Sequence, residues 1–172
     1  MVDGITPASA VPAEQNRAAA EIVGLAGTLF QNLGAIELLV AAWLLATEVS
    51  RAAAQEFLGR THPLAARVDR LVKLLKADNE TRNSDAIAAL RKIPRLLRMR
   101  NAIAHGAMSM DDGGSWAVTT WTETIPVSVA ILAEERKSAH TVMVQLYEGY
   151  VVRTGSPPNL TAVAKSAPPP TD

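Results

Sequence analysis

Apolar side chains recur at spacings of three, four and seven residues along the first third of the chain. Ile22, Leu29 and Ile36 belong to this series, and further leucines continue it toward the tryptophan at position 43. This spacing places the apolar groups on one face of a helix. The pattern therefore predicts helical structure over residues 13–57, as one long helix or as two helices broken near residues 31–34.

Two further amphipathic segments follow. Residues 64–76 carry an apolar stripe of leucine and valine, which predicts a second helical region. Residues 85–105 predict another helix, for which Ser84 is a candidate cap. Pro94 lies inside this helix and removes one backbone donor, so it kinks the helix or starts a new segment there.

The character of the chain changes after residue 106. The sequence Asp-Asp-Gly-Gly at residues 111–114 is a strong turn signal, and the tryptophan, valine and threonine residues after it favour a strand. These features predict a small β-hairpin. Pro126 suits the first turn of a final helix over residues 127–153.

These elements predict an all-α fold, an antiparallel bundle of four to five helices with a small β-hairpin insertion before the last helix. Residues 1–12 are expected to form a flexible leader, and residues 13–153 the helical domain. Residues 154–172 contain five prolines and are expected to form a disordered tail.

Composition limits the chemistry. The 172-residue chain has no cysteine, which excludes disulfides, thiolate metal sites and cysteine nucleophiles. Its three histidines lack the close spacing of a zinc site, so we expect neither a metal nor a cofactor. The longest apolar stretch, residues 33–46, contains Glu37 and is short of the roughly 20 residues of a membrane span. We expect a cytoplasmic protein with no membrane partner.

Charge is distributed unevenly along a neutral chain. The formal net charge is zero, yet residues 82–100 hold six basic side chains and one acidic side chain. This basic segment leads into Arg100-Asn101-Ala102-Ile103-Ala104-His105-Gly106. Residues three, four and seven apart share a helix face, so Arg98, Asn101 and His105 form one polar stripe. Arg100 lies about 140° around the helix from His105.

These residue types suit chemistry on a phosphodiester. Histidine can give and take protons near neutral pH, and a guanidinium binds phosphate oxygens in pairs. The 2′-hydroxyl of RNA can be the nucleophile, so cleavage by His105 and Arg100 requires no metal. A lone histidine at a helix end is nevertheless more often structural, and a row of arginines is usually a solvated face.

The sequence Arg100-Asn101-x-x-x-His105, followed by Gly106, resembles the Arg-x4-His motif of the HEPN family (higher eukaryotes and prokaryotes nucleotide-binding). The resemblance implies a helical bundle with the motif on a helix that precedes the last one. It also implies a homodimer in which two motifs face each other, and an endoribonuclease of toxin–antitoxin or antiphage systems, with RNA and an antitoxin or other partner protein as partners.

The resemblance implies a role for each motif residue. Arg100 would stabilise phosphate, and His105 would transfer a proton or position the scissile phosphate. Asn101 matches the polar residue that is common after the arginine in this family. Arg98 and Arg95 are candidate substrate-binding residues. Glu37 would pair with an arginine of the motif helix, or is an ordinary surface glutamate. Two alternatives stay open: a non-catalytic HEPN-like module that binds RNA, nucleotide or protein, and a helical adaptor in which the motif is coincidental.

Overall fold

The computed structural model describes residues 13–48, 51–58, 62–111 and 114–166. The leader over residues 1–12 and the last part of the expected tail, residues 167–172, lie outside them. The described elements follow in the order α1 (Ala13–Thr47), α2 (Arg51–Leu58), α3 (Leu64–Asn79), α4 (Ser84–Leu90), α5 (Ile93–His105), β1 (Ala107–Met110), β2 (Trp116–Thr119), β3 (Thr124–Val127), α6 (Val129–Thr154) and α7 (Leu160–Ser166).

The expected mostly helical fold, with a small β insertion before the last long helix, is confirmed. The first helical region, predicted over residues 13–57, contains two helices: α1 is 35 residues long with no break near residues 31–34 but ends at Thr47, and α2 begins at Arg51. Pro94 starts a new segment, because it lies in the first turn of α5, where a helix does not need its missing N–H. The cap of α4 is Asn83, whereas Ser84 is already helical.

The core lies mainly between α1 and α6. Trp43 is 1% exposed, and its Nε1 donates a hydrogen bond to the Leu146 carbonyl over 3.0 Å. The indole also meets the Tyr150 ring edge-on, with centroids 5.8 Å apart. Nearer the N-terminal ends of α1 and α6, Asn32 Nδ2 donates a hydrogen bond to the Arg136 carbonyl over 3.4 Å. Contacts therefore advance in the same direction on both helices, so α1 and α6 run parallel.

Helix α1 is the one described helix long and apolar enough to cross a membrane by length and composition, and half of its most apolar window is buried inside the fold. Leu29, Ile36 and Leu39 are among its buried side chains, each at most 2% exposed. Burial of this apolar face against other helices is compatible with a soluble protein.

The β insertion has three strands rather than two. Strands β1, β2 and β3 form an antiparallel sheet in that order, with Ala117 opposite Pro126. Pro126 therefore lies in an edge strand, where a missing N–H is tolerated, and not in the first turn of the last helix as predicted. Helix α6 begins later, and its cap residue Ser128 accepts a hydrogen bond from the Ile131 N–H over 3.1 Å.

A short helix occupies part of the segment predicted to be disordered. Residues 160–166 form α7, which packs on α1 through Val163, 7% exposed. The Asn159 side chain accepts a hydrogen bond from the Ala162 N–H over 3.0 Å and so supports the first turn. Proline content alone did not predict this helix, because its stability depends on contact with a distant element.

Candidate functional site

Helix α5 separates an apolar face from a polar one. Ile93, Leu96, Met99 and Ala102 are buried in the core. The arginines, the asparagine and the histidine of the motif region lie on the exposed face, as the helical spacing predicted. The buried stripe therefore fixes the orientation of the candidate site residues.

Arg100 and Asn101 are joined at a cleft. Arg100 Nη1 donates a hydrogen bond to Asn101 Oδ1 over 2.9 Å. Both side chains line a cleft of about 690 Å³ between α1, α5 and the start of α3. Among the described residues, no carboxylate pairs with Arg100, so its charge is available to an anion in this cleft.

Arg98 also lines this cleft, but it is held by a carboxylate. Its Nε donates to Glu123 Oε2 over 2.9 Å, and its Nη2 donates to the same oxygen. Hydrogen bonds from Arg98, and then its positive charge, hold the pKa of Glu123 below its usual range. This stabilising contribution is present above the ordinary glutamate pKa and is lost as the pH falls through the lowered value. At neutral pH Arg98 is therefore paired.

Arg95 is neutralised in the same way by a different element. Its Nε donates to Glu135 Oε1 of α6 over 3.0 Å. The carboxylate is buried, with 4% of the residue exposed, whereas the arginine side chain is 76% exposed. A buried carboxylate requires a partner of this kind. Arg95 therefore has a structural contact that the sequence analysis did not anticipate.

Glu37 lines the same cleft, and of its two predicted alternatives the structure does not show the pair with an arginine of the motif helix. Its Oε1 accepts from Arg67 Nη1 of α3 over 2.9 Å, and 48% of its side chain is exposed. The pair forms because α3 begins beside α1, and this packing brings Arg67 closer than any arginine of α5. Sequence reasoning missed Arg67, since only tertiary packing connects it to the site.

His105 is the last residue of α5 and is exposed. Within the described part of the chain its side chain makes no hydrogen bond or ion pair, and it does not belong to the lining of the cleft that holds Arg100 and Asn101. One chain therefore does not bring the three motif residues together. Nor do the described residues contain a group of three or more metal-ligating side chains.

Gly106 sets the direction in which the chain leaves the motif helix. It is the C-cap of α5, and its N–H donates to the Ala102 carbonyl over 2.7 Å. A Cβ built here would lie 2.3 Å from Val118 Cγ1, 2.7 Å from the Ala102 carbonyl oxygen and 3.0 Å from that of Thr119. The helix and β2 thus approach too closely for any side chain at this position.

We expect Gly106→Ala to destabilise the fold by about 1–3 kcal/mol, because backbone atoms and a stiff valine must move to admit the methyl group. Chemical denaturation would measure the loss. Gly114→Ala is not a suitable control, because that glycine has a positive φ of 82°. Gly24→Ala in α1 is suitable, since nothing lies within 4 Å of its Cβ, and it should be neutral or stabilising. Equal stability of the two variants would contradict the close approach at Gly106.

Comparison of the chain with family models, with curated proteins and with solved structures yields no match.

Proposed function

We propose that the protein is a cytoplasmic, metal-independent endoribonuclease of the HEPN type that acts as a homodimer, as a toxin or antiphage effector. One observation carries the proposal. Arg100 and Asn101 lie side by side at a cleft, and Arg100 has no carboxylate partner among the described residues, whereas Arg95 and Arg98 are neutralised by glutamates. The charge of Arg100 is therefore available to a phosphate group.

The chemistry uses only the RNA, two side chains and water. Neutral His105 removes the proton of a 2′-hydroxyl, whose oxygen attacks the adjacent phosphorus. The bond from phosphorus to the 5′ oxygen breaks, and that oxygen takes a proton from water. The imidazolium returns its proton to solvent. Arg100 binds the non-bridging oxygens, on which negative charge increases in the transition state. The products are a 2′,3′-cyclic phosphate and a 5′-hydroxyl.

The dimer follows from the separation of the two side chains. Arg100 and His105 point about 140° apart on α5, and His105 lies outside the lining of the Arg100 cleft. In a symmetric dimer, the arginine of one chain can serve the histidine of the other. We therefore assign each reaction site to residues from two chains, and an antitoxin or other partner protein would act by blocking this arrangement.

The test is incubation of the purified protein with single-stranded RNA in EDTA. We expect cleavage with 2′,3′-cyclic phosphate ends, identified by their resistance to ligation until the phosphate is removed. Arg100→Ala should slow cleavage strongly. Arg91→Ala is the matched control, because Arg91 is an exposed arginine after α4 and lies outside the cleft. Absence of cleavage by the native protein would reject the nuclease.

A second candidate is a non-catalytic HEPN-like module that binds RNA, nucleotide or a partner protein. The ion pairs of Arg95 and Arg98 favour it, because they leave few uncompensated cations near the motif in a chain of zero net charge. This candidate predicts binding that Arg100→Ala weakens, with no cleavage under any of the conditions above.

A further inference from the structure

Two helical faces form opposite walls of the Arg100 cleft. On α1, Phe30, Gly34 and Glu37 are spaced by four and three residues, so they lie on one face. On α5, Arg100 and Ala104 share the facing wall. A Cβ built on Gly34 meets no atom within 4 Å, so the space above this glycine is open. Small residues on both helices therefore keep the cleft wide.

The cleft combines an apolar end with a charged one. Phe30 is partly exposed and contributes an aromatic surface on which a base can stack, and buried Leu33 lies beneath the cleft. Arg100 contributes a cation that binds phosphate. The volume of about 690 Å³ falls among those of ligand pockets and exceeds what a bare phosphate requires. The cleft thus suits a whole nucleotide better than an isolated anion.

Glu37 adds a hydrogen-bond acceptor to this cleft. Its Oε1 is shared with Arg67, and its Oε2 makes no hydrogen bond within the described residues, although about half of the side chain is exposed. An ionised carboxylate accepts hydrogen bonds and donates none. Guanine presents two adjacent N–H donors, N1–H and the 2-amino group, on its Watson–Crick edge. Adenine has one donor there, beside an acceptor that a carboxylate repels.

We propose that this cleft holds one unstacked guanine nucleotide, with its base against Phe30 and Gly34, its Watson–Crick edge on Glu37 and its phosphate on Arg100. If the protein is the proposed nuclease, this site makes it cleave preferentially beside guanosine, and that part of the inference rests on the proposed function. The binding itself does not require that the protein be a nuclease. Glu37 acts here as a specificity-determining residue.

The first experiment fills the cleft. Gly34→Leu places a side chain in the open space, and we expect it to weaken binding of guanosine 5′-monophosphate (GMP) at least about tenfold by calorimetry. Gly27→Leu is the matched control, because Gly27 is on the same helix, has no atom within 4 Å of its Cβ and lies outside the cleft. Both changes remove a glycine from a helix interior, so both should raise the melting temperature.

The second experiment tests the base. The native protein should bind GMP about tenfold more tightly than AMP, the range that one good base contact provides. Glu37→Gln should remove this preference while AMP binding changes little. Glu21→Gln, an exposed glutamate of the same helix outside the cleft, should preserve it. Equal affinity of the native protein for the two nucleotides would overturn the assignment of guanine.

Failure of the two proposals can be told apart. If native protein cleaves RNA and Gly34→Leu cleaves it as fast as Gly27→Leu, the nuclease stands and the nucleotide cleft is rejected. If native protein binds GMP but cleaves no RNA in EDTA, the cleft stands and the nuclease is rejected.

Discussion

Replacing His105 with alanine is expected to lower the rate of RNA cleavage by about 10²–10⁴-fold, the usual contribution of a positioned acid–base group. The proposed reaction depends on this imidazole to take the proton of the attacking 2′-hydroxyl. The initial rate of cleavage of a single-stranded RNA in EDTA, at saturating protein, would measure the loss. Binding of the RNA should change much less, because Arg100 and Asn101 remain in place.

The His105→Ala variant is expected to remain folded, so a loss of cleavage would not reflect unfolding. The His105 side chain is exposed and has no hydrogen bond or ion pair within the described residues, so its truncation should leave the melting temperature nearly unchanged. His140→Ala is the matched control, since His140 is an exposed histidine in the middle of α6. An unchanged cleavage rate in the His105 variant would remove this residue from the chemistry.

The helices could be predicted because their evidence is local. Apolar spacing and the position of Pro94 predicted α3, α5 and the start of α1 closely, whereas α1 ends at Thr47 rather than near residue 57. The third strand could not be predicted this way. Pro126 is equally compatible with a helix start and with an edge strand, and only the pairing of β3 with β2 distinguishes them. Likewise, α7 depends on burying Val163 against α1, a contact between distant parts of the chain.

The candidate site, like the fold, could be predicted where its evidence is local to one helix. The exposed polar face of α5 follows from helical spacing, and the structure has it as expected. The electrostatics do not follow from the motif helix alone. Its excess of positive charge is reduced by Glu123, which comes from the turn before β3, and by Glu135 of α6. The partner of Glu37 is likewise set by how α3 packs. Ion pairs between distant segments are decided by packing.

The separation of Arg100 from His105 leads to the most discriminating test. Arg100→Ala and His105→Ala are each expected to be inactive as homodimers. When they are co-expressed with different tags and the mixed dimer is isolated, we expect about half of the native cleavage rate, because one of its two symmetric sites then keeps both residues. This result requires that arginine and histidine come from different chains. Cleavage rates of the mixed and native dimers, at equal concentration, would measure it.

The control for this recovery is a mixed dimer in which both differently tagged chains carry His105→Ala, which should stay inactive and so exclude contaminating nuclease. The opposite outcome is equally informative. If each site used residues of a single chain, the mixed dimer would contain one chain without the arginine and one without the histidine, and it would have no complete site. An inactive mixed dimer, with active native protein prepared in the same way, would therefore reject the two-chain site. Catalysis within one chain would then require a movement of α5 or Gly106 that brings His105 to the Arg100 cleft, because His105 lies outside the lining of that cleft.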